Sequence, residues 1–328
     1  MKAETQKQSN PFPYSDSNKR YYTYDYYLRK TFGGKVAKIP LDGGFTCPNR
    51  DGTCGVGGCI YCSENGSGDF TAPASLPLAE QYRIQRERLS AKWQFSRCIA
   101  YFQPHTNTYA PVERLRALYE EALGLPDVVG LNIATRADCL GDDVIDLLAE
   151  LSERTVLTLE LGLQTVHDET AARIRRGHTF ACFLDAWERV SRRAPRVRLC
   201  VHLIFGLIGE NDEMMVETVQ RVSALAPDEV KLHFLYVLEG TEMAEIYRNG
   251  GYLPLEKEQY VDLAVRALEL LPATTVIGRL TGDGEEGALL APLWGRKKRC
   301  ILNEIDKKFY ERKTHQGKFS AAAGRPET

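Results

Sequence analysis

The sequence predicts an α/β fold built as an open, partial (β/α)6 barrel, with a doubly wound open sheet as the second choice. Three observations carry this expectation. Strand-like and helix-like stretches alternate along the chain about six times, the pattern of a parallel sheet with crossover helices. Several strand-like runs are apolar at successive positions, as expected where helices cover both faces of a sheet. Six units fall short of a closed eight-stranded barrel, which leaves an open one.

The elements follow in order. The first strand, KVAKIPLD (35–42), runs into GGFTCPNRDGTCGVGGCIYCSENGSGDF, whose Gly, Asn and Asp mark an irregular loop. A charged helix, LAEQYRIQRERLSAKW, leads to the strand RCIAYFQ (97–103). A helix from Pro111 to Leu123 precedes VVGLNIATR (128–136), and one from Asp142 to Ser152 precedes TVLTLELGLQ (155–164). Helical stretches on either side of Gly177 lead to VRLCVHLIFGL (197–207). A helix from Asp212 to Leu225 precedes EVKLHFLYVL (229–238), and LEKEQYVDLAVRALELL precedes TVIGRL (275–280). The expected division is an N-terminal extension (1–31), a core (32–280) and a basic C-terminal extension (281–328).

Composition narrows the function. The chain is 43% hydrophobic and 26% charged, so a packed core is expected. Its 42 Lys and Arg balance 44 Asp and Glu, which excludes a wholly basic nucleic-acid coat but not a local basic patch. No apolar run approaches the ~18 residues of a membrane span. The polar start, MKAETQKQSNPFPYSDSNKR, lacks an apolar signal core. A cytoplasmic protein with reduced thiols and no membrane partner is the expectation.

Four of the nine cysteines, Cys47, Cys54, Cys59 and Cys62, crowd the loop after the first strand. The other five are isolated, and Cys98 and Cys200 sit in apolar stretches as small buried hydrophobes do. A tight thiol cluster reads as a metal site. The spacing C-x6-C-x4-C-x2-C admits an iron–sulfur cluster, tuned by backbone N–H groups of a Gly-rich loop. It also admits a structural zinc, although only one close pair, Cys59 and Cys62, resembles a zinc knuckle. Polar residues gather where the strands should end: Gln103, His105, Thr106 and Asn107; Thr135, Arg136 and Asp138; Glu160 and Gln164; His202; His233 and Tyr236. In α/β folds of either kind the site lies at those C-terminal strand ends.

The segments LDGGFTCPNRDGTCGVGGCIYC, YFQPHTNTYAPVE, IATRADCL, LELGLQTVHDET, RRGH, HLIFGLIGE and ILNEIDKK resemble the YhcC/YtqA family of radical S-adenosylmethionine proteins. That family is similar to the radical domain of the Elongator catalytic subunit. The resemblance runs from Tyr22 to Phe319. It implies a barrel of the radical S-adenosylmethionine type. It implies a [4Fe–4S] cluster on Cys47, Cys59 and Cys62, spaced C-x11-C-x2-C, with Cys54 as an extra thiol. It also implies S-adenosyl-L-methionine as cofactor, reductively cleaved to a 5′-deoxyadenosyl radical, and an electron donor such as flavodoxin or ferredoxin.

By position, the resemblance places Tyr61 near the adenine and Gln103, Thr106 and Asn107 near the methionine amino group. The Gly-Gly-Glu segment usual at that last place is absent. Glu160 and Gln164 fall near the ribose, with His202 as a further polar contact there. Arg176 fits the methionine carboxylate, as a bidentate cation should. No catalytic residue is singled out. The implied substrate is a tRNA base, a wobble-uridine side chain. Two local compositions agree with RNA: KRYYTYDYYLRK interleaves Tyr with Lys and Arg, and residues 296–318 hold nine Lys or Arg against three Asp or Glu. The extension after 280 is too short for an added acetyltransferase domain, and Cys300 alone cannot hold an auxiliary cluster. A small-molecule or porphyrin-like substrate, and a non-catalytic zinc-stabilised RNA-binding or assembly factor, are the alternatives.

Overall fold

The computed structural model describes residues 10–66, 71–282 and 287–321. The outer ends of both expected extensions, 1–9 and 322–328, lie outside the described residues. Seven strands form one parallel sheet: β1 (Val36–Leu41), β2 (Arg97–Phe102), β3 (Val128–Thr135), β4 (Val156–Gln164), β5 (Arg198–Phe205), β6 (Glu229–Phe234) and β8 (Val276–Arg279). They pair in chain order, which makes the sheet a curled half-barrel with six crossovers. β7 (Val237–Leu238) and β9 (Leu289–Ala291) form a separate antiparallel pair.

The crossovers hold the helices that the periodicity predicts, α2 (Leu78–Ser90), α3 (Val112–Leu123), α4 (Asp142–Ser152), α5 (Asp168–Arg173), α6 (Phe180–Arg193), α7 (Asp212–Ser223) and α9 (Lys257–Leu270), together with the short α8 (Glu242–Arg248), which the periodicity does not predict. Local chemistry fixes their starts. Thr179 accepts from the Cys182 N–H at the head of α6, and Asn211 accepts from the Met214 N–H at the head of α7. Asp142 and Asp143 occupy the first turn of α4, where the helix dipole favours negative charge.

The expectation that helices cover both faces of the strands is corrected by the curl. One face packs on the helices through alternate residues such as Ile39, Ala100, Ile133, Leu159, Val201 and Leu232, all in the main core. The other face closes on itself. Its residues have the opposite parity and include Lys38, Tyr101, Asn132, Glu160, His202 and Lys231. The apolar reading of the strands is therefore right for the outer face only.

Both chain ends brace the barrel. α1 (Tyr24–Phe32), capped by Thr23 and ended by Gly33 at φ 71°, lies across the strand starts. Its Tyr27 and Leu28 pack with Val36, Ile99 and Val276. Beyond position 280, α10 (Lys298–Glu311) lays Ile301, Ile305 and Phe309 into the main core against α9. The Gln316 side chain accepts from the Tyr22 N–H and donates to the Pro272 and Thr275 carbonyls, tying the two ends together. Phe309 is fully buried and stacks on Tyr21. Phe309→Ala is expected to lower unfolding free energy by about 3–5 kcal/mol. A urea midpoint within error of the parent protein would mean that α10 only rests on the core.

Candidate functional site

The loop that leaves β1 is a chain of tight turns. The Arg50 and Asp51 N–H groups donate to the Cys47 carbonyl, Cys54 N–H donates to Pro48, and Cys62 N–H donates to Cys59. Gly57 and Gly58 sit at φ 83° and 84°, a region that suits glycine alone. Asn49 pins the loop to the barrel. It is buried, and its amide donates to the Arg175 carbonyl at 2.5 Å and reaches the Cys59 sulfur at 3.6 Å. Gly55 and Gly177 crowd its oxygen so closely that a Cβ at either would stand within 2.9 Å. Asn49 lies two residues after a cysteine in CPNRDG, but nothing in the sequence distinguishes it from an ordinary turn residue.

The four loop thiols meet different surroundings. Cys59 is buried, Cys47 and Cys62 are half-buried, and Cys54 is exposed. The Arg136 guanidinium stands 4.0 Å from the Cys47 sulfur. It is buried, donates to the Arg176 carbonyl at 2.8 Å and is held by Asp138 at 2.7 and 2.9 Å. The Cys54 sulfur instead faces the Asp138 carboxylate at 3.9 Å. Burial pushes the Cys62 thiol up, with Cys59 adding to it and Arg50 opposing. Among the described residues, no three His, Cys, Asp or Glu side chains close on one point as a single metal ion would require.

Around this loop the strand ends bring the polar residues together. Tyr61 packs beside a small core of Ile60, Ile174 and Leu207. Gln103 and Thr106 are tied to the first strand and its loop by N–H bonds to the Leu41 and Thr46 carbonyls. Gln164 adopts φ 76°, a conformation that costs a non-glycine residue about 1–3 kcal/mol and is typical of functional positions. Arg176 is buried and donates through two nitrogens to the Gly162 carbonyl. A Cβ on Gly162 would stand 2.9 Å from both Arg176 and Gln164, so glycine there lets the two approach. Several side-chain atoms around the strand ends are buried with no hydrogen-bond partner among the described residues, among them Thr106 Oγ1, Asn107 Oδ1, His105 Nδ1, Gln164 Oε1 and His178 Nε2. Such atoms ask for a polar ligand.

Asn107 and Glu160 are placed deeper than the rim residues. Asn107 is fully buried; its amide nitrogen donates to the Pro104 and Ala134 carbonyls at 2.9 and 2.8 Å, while its Oδ1 has no hydrogen-bond partner among the described residues. It braces the loop after β2 and keeps an acceptor oxygen unmet. Glu160 is likewise fully buried inside the barrel, below the rim. It accepts from Lys38 at 2.6 Å, Tyr101 and Asn132 at 2.8 Å, His202 at 3.0 Å and also Lys231. With five donors in place no valence remains for a ribose. His202 spends its Nε2 on Glu160 and keeps its other nitrogen, and the imidazole is pushed down to about 4, by burial first and then by Lys231. It is therefore neutral near pH 7.

The basic tail is partly consumed by the fold. Arg296 donates to the Leu289 carbonyl, and Lys308 and Arg312 pair with Asp262 at 2.8 and 2.9 Å.

The Radical SAM superfamily profile matches residues 49–222, and the Radical_SAM C-terminal domain profile matches residues 227–311. The protein YtqA of Bacillus subtilis is 47% identical over 312 residues, covering 95% of this chain and 96% of YtqA. The protein YhcC of Escherichia coli is 38% identical over 300 residues, covering 91% and 94%. A tRNA uridine(34) acetyltransferase of Methanocaldococcus jannaschii is 29% identical over 158 residues, 47% of this chain but only 28% of that enzyme. Among solved structures, Elp3 of Methanocaldococcus infernus superposes with a TM-score of 0.61 at 18% identity, over 86% of this chain and 64% of that one. The likeness to Elp3 is one of fold.

Proposed function

The chain belongs to the radical S-adenosylmethionine superfamily, and from that premise we propose a radical enzyme that modifies a base of tRNA, the wobble-uridine side chain. As a superfamily member it is an enzyme that uses a [4Fe–4S] cluster and S-adenosyl-L-methionine, and it needs an electron donor. Flavodoxin or ferredoxin is our proposal for that donor.

The observation that carries the cofactor assignment is the split among the loop thiols. A cluster ligand must be a thiolate. Cys47 lies beside a buried guanidinium, Cys59 receives the Asn49 amide, and Cys62 follows one turn later. Cys54 faces a carboxylate, which disfavours a thiolate. We therefore assign Cys47, Cys59 and Cys62 to the cluster. The unpartnered rim atoms and the convergence of Gln164 with Arg176 fit a zwitterionic, polar cofactor above it.

When bound, these groups supply one-electron reduction and radical hydrogen abstraction. The protein residues hold and shield. Arg136 places positive charge beside the Cys47 sulfur and ties the end of β3 to the Arg176 carbonyl. Tyr61 offers an aromatic face, Arg176 a planar cation, and Gln103, Thr106, Gln164 and His202 hydrogen-bonding groups. The half-barrel wall excludes water and stray hydrogen donors from a reactive radical.

The tRNA substrate is supported by the partial match to a tRNA uridine(34) acetyltransferase. It is tested by profiling modified nucleosides in tRNA from a strain lacking this gene and from the same strain complemented. One wobble-position nucleoside should fall or shift in the deletion and return on complementation. An identical profile in both would overturn the tRNA reading and point to a small-molecule substrate.

A further inference from the structure

The strands also begin somewhere, and their starting ends frame a second concavity far from the cysteine loop. It has a volume of about 820 Å³ and lies between α1 and the first residues of the strands, including Val156, Arg198 and Val276. Because the strands are parallel and the cysteine loop leaves the C-terminal end of β1, this cavity opens on the opposite face of the barrel. Its size falls in the range of small-molecule sites, roughly 300–1,000 Å³.

Its charge is one-sided. Four cations line it, Lys30, Arg154, Arg196 and Arg198, against two carboxylates, Glu153 and Asp228. Both carboxylates are engaged. Glu153 pairs with Arg196 at 2.8 Å, and Asp228 accepts from the Leu199 N–H at 2.8 Å. Arg154 is taken by Glu120. Lys30 has no carboxylate within ion-pair distance among the described residues; its Nζ lies 5.5 Å from the centre of the Tyr26 ring. Arg198 is the more telling group. Its guanidinium lies 4.2 Å from the centre of the Tyr27 ring, its Nη2 donates to the Asp228 carbonyl at 3.4 Å, and its Nε is buried with no hydrogen-bond partner among the described residues. A guanidinium held on an aromatic ring is already oriented. A cavity-lining guanidinium with no carboxylate within ion-pair distance among the described residues suits an anionic ligand.

We propose that this cavity is a second binding site, for a phosphate-bearing small molecule of nucleotide size, with Lys30 and Arg198 as the phosphate-recognising pair. The ligand would enter from the face away from the cofactor, so both could be held at once. The site does not depend on the assignment of the tRNA substrate.

Calorimetric titration of the full chain tests it, with inorganic phosphate and adenosine 5′-monophosphate as separate probes. Saturable binding of the nucleotide is expected, weakened by about ten-fold or more in Lys30→Gln, which sits on the helix surface and should fold normally. Arg198→Lys keeps the charge but loses the planar fork, and it should also weaken binding. Binding of phosphate as tight as that of the nucleotide would overturn the nucleotide-sized ligand. No saturable heat with either probe, or unchanged affinity in Lys30→Gln, would overturn the site. S-adenosylmethionine affinity, measured in the same variants, should be unaltered; a parallel loss would place the nucleotide in the cofactor site and overturn the proposal.

Discussion

Replacing Cys47, Cys59 or Cys62 by Ala should each remove the iron and sulfide of the anaerobically reconstituted protein, while Cys54→Ala should keep about four of each per chain, the content of one [4Fe–4S] cluster. The reason is geometric and electrostatic. Three thiolates leave one iron open for the cofactor, and a fourth protein thiolate would close it. Cys54 is exposed and 3.9 Å from the Asp138 carboxylate, whereas Cys47 stands by Arg136. Metal and acid-labile sulfide analysis reads the result directly. Loss of iron in Cys54→Ala with retention in Cys47→Ala would reverse the assignment. One zinc per chain and no sulfide in the parent protein would remove the radical reading of the loop altogether.

Glu160→Gln should be the most destabilising of the single substitutions inside the barrel. Glu160 is buried and pairs with both Lys38 and Lys231, and its neutralisation removes the carboxylate that bonds both cations directly, leaving Glu229 as the buried carboxyl nearby. Removing one member of a buried ionic network costs about 3–5 kcal/mol. Chemical denaturation at pH 7 measures it, and a loss under about 1 kcal/mol would mean that the lysines discharge or turn outward.

The same network predicts how acid acts on the fold. Burial opposes the charge of Glu160, but Lys231 and Lys38 outweigh it and hold its carboxyl well below the usual range. Its contribution is therefore present above the ordinary carboxylate value and is lost only in stronger acid. His202 behaves differently. Its folded value of about 4 lies below the unfolded value of about 6.5, so the unfolded chain takes the proton first. Stability then falls as the pH drops through that window, by about 2 kcal/mol at pH 5 from this residue alone. His202→Asn should flatten the decline between pH 7 and pH 5. A parent protein equally stable at both values would show that His202 is not buried neutral.

Much of this protein is determined by its sequence alone. Alternating apolar runs and capped helices specify a parallel sheet with crossovers, because period and capping are local properties of a few neighbouring residues. The cysteine loop and the polar strand ends are legible for the same reason: parallel strands bring successive C-terminal ends to one rim. What only the tertiary structure decided depends on curl and on distance through space. Whether the inner parity of the strands is covered or closed is set by the bending of the whole sheet, so Glu160 becomes a five-fold acceptor with Lys38 from β1 and Lys231 from β6. The same folding in space brings Asn49 and Arg136 to the thiols, and Ile301, Ile305 and Phe309 of the basic tail into the core. A side chain at a strand end has the same sequence signature whether it faces a cofactor or a neighbouring carbonyl. Asn107 and Glu160 are both polar residues that the sequence places near strand ends, yet Glu160 meets five donors while Asn107 keeps its Oδ1 unmet, because only the folded sheet brings Lys38, Tyr101, Asn132, His202 and Lys231 around the carboxylate.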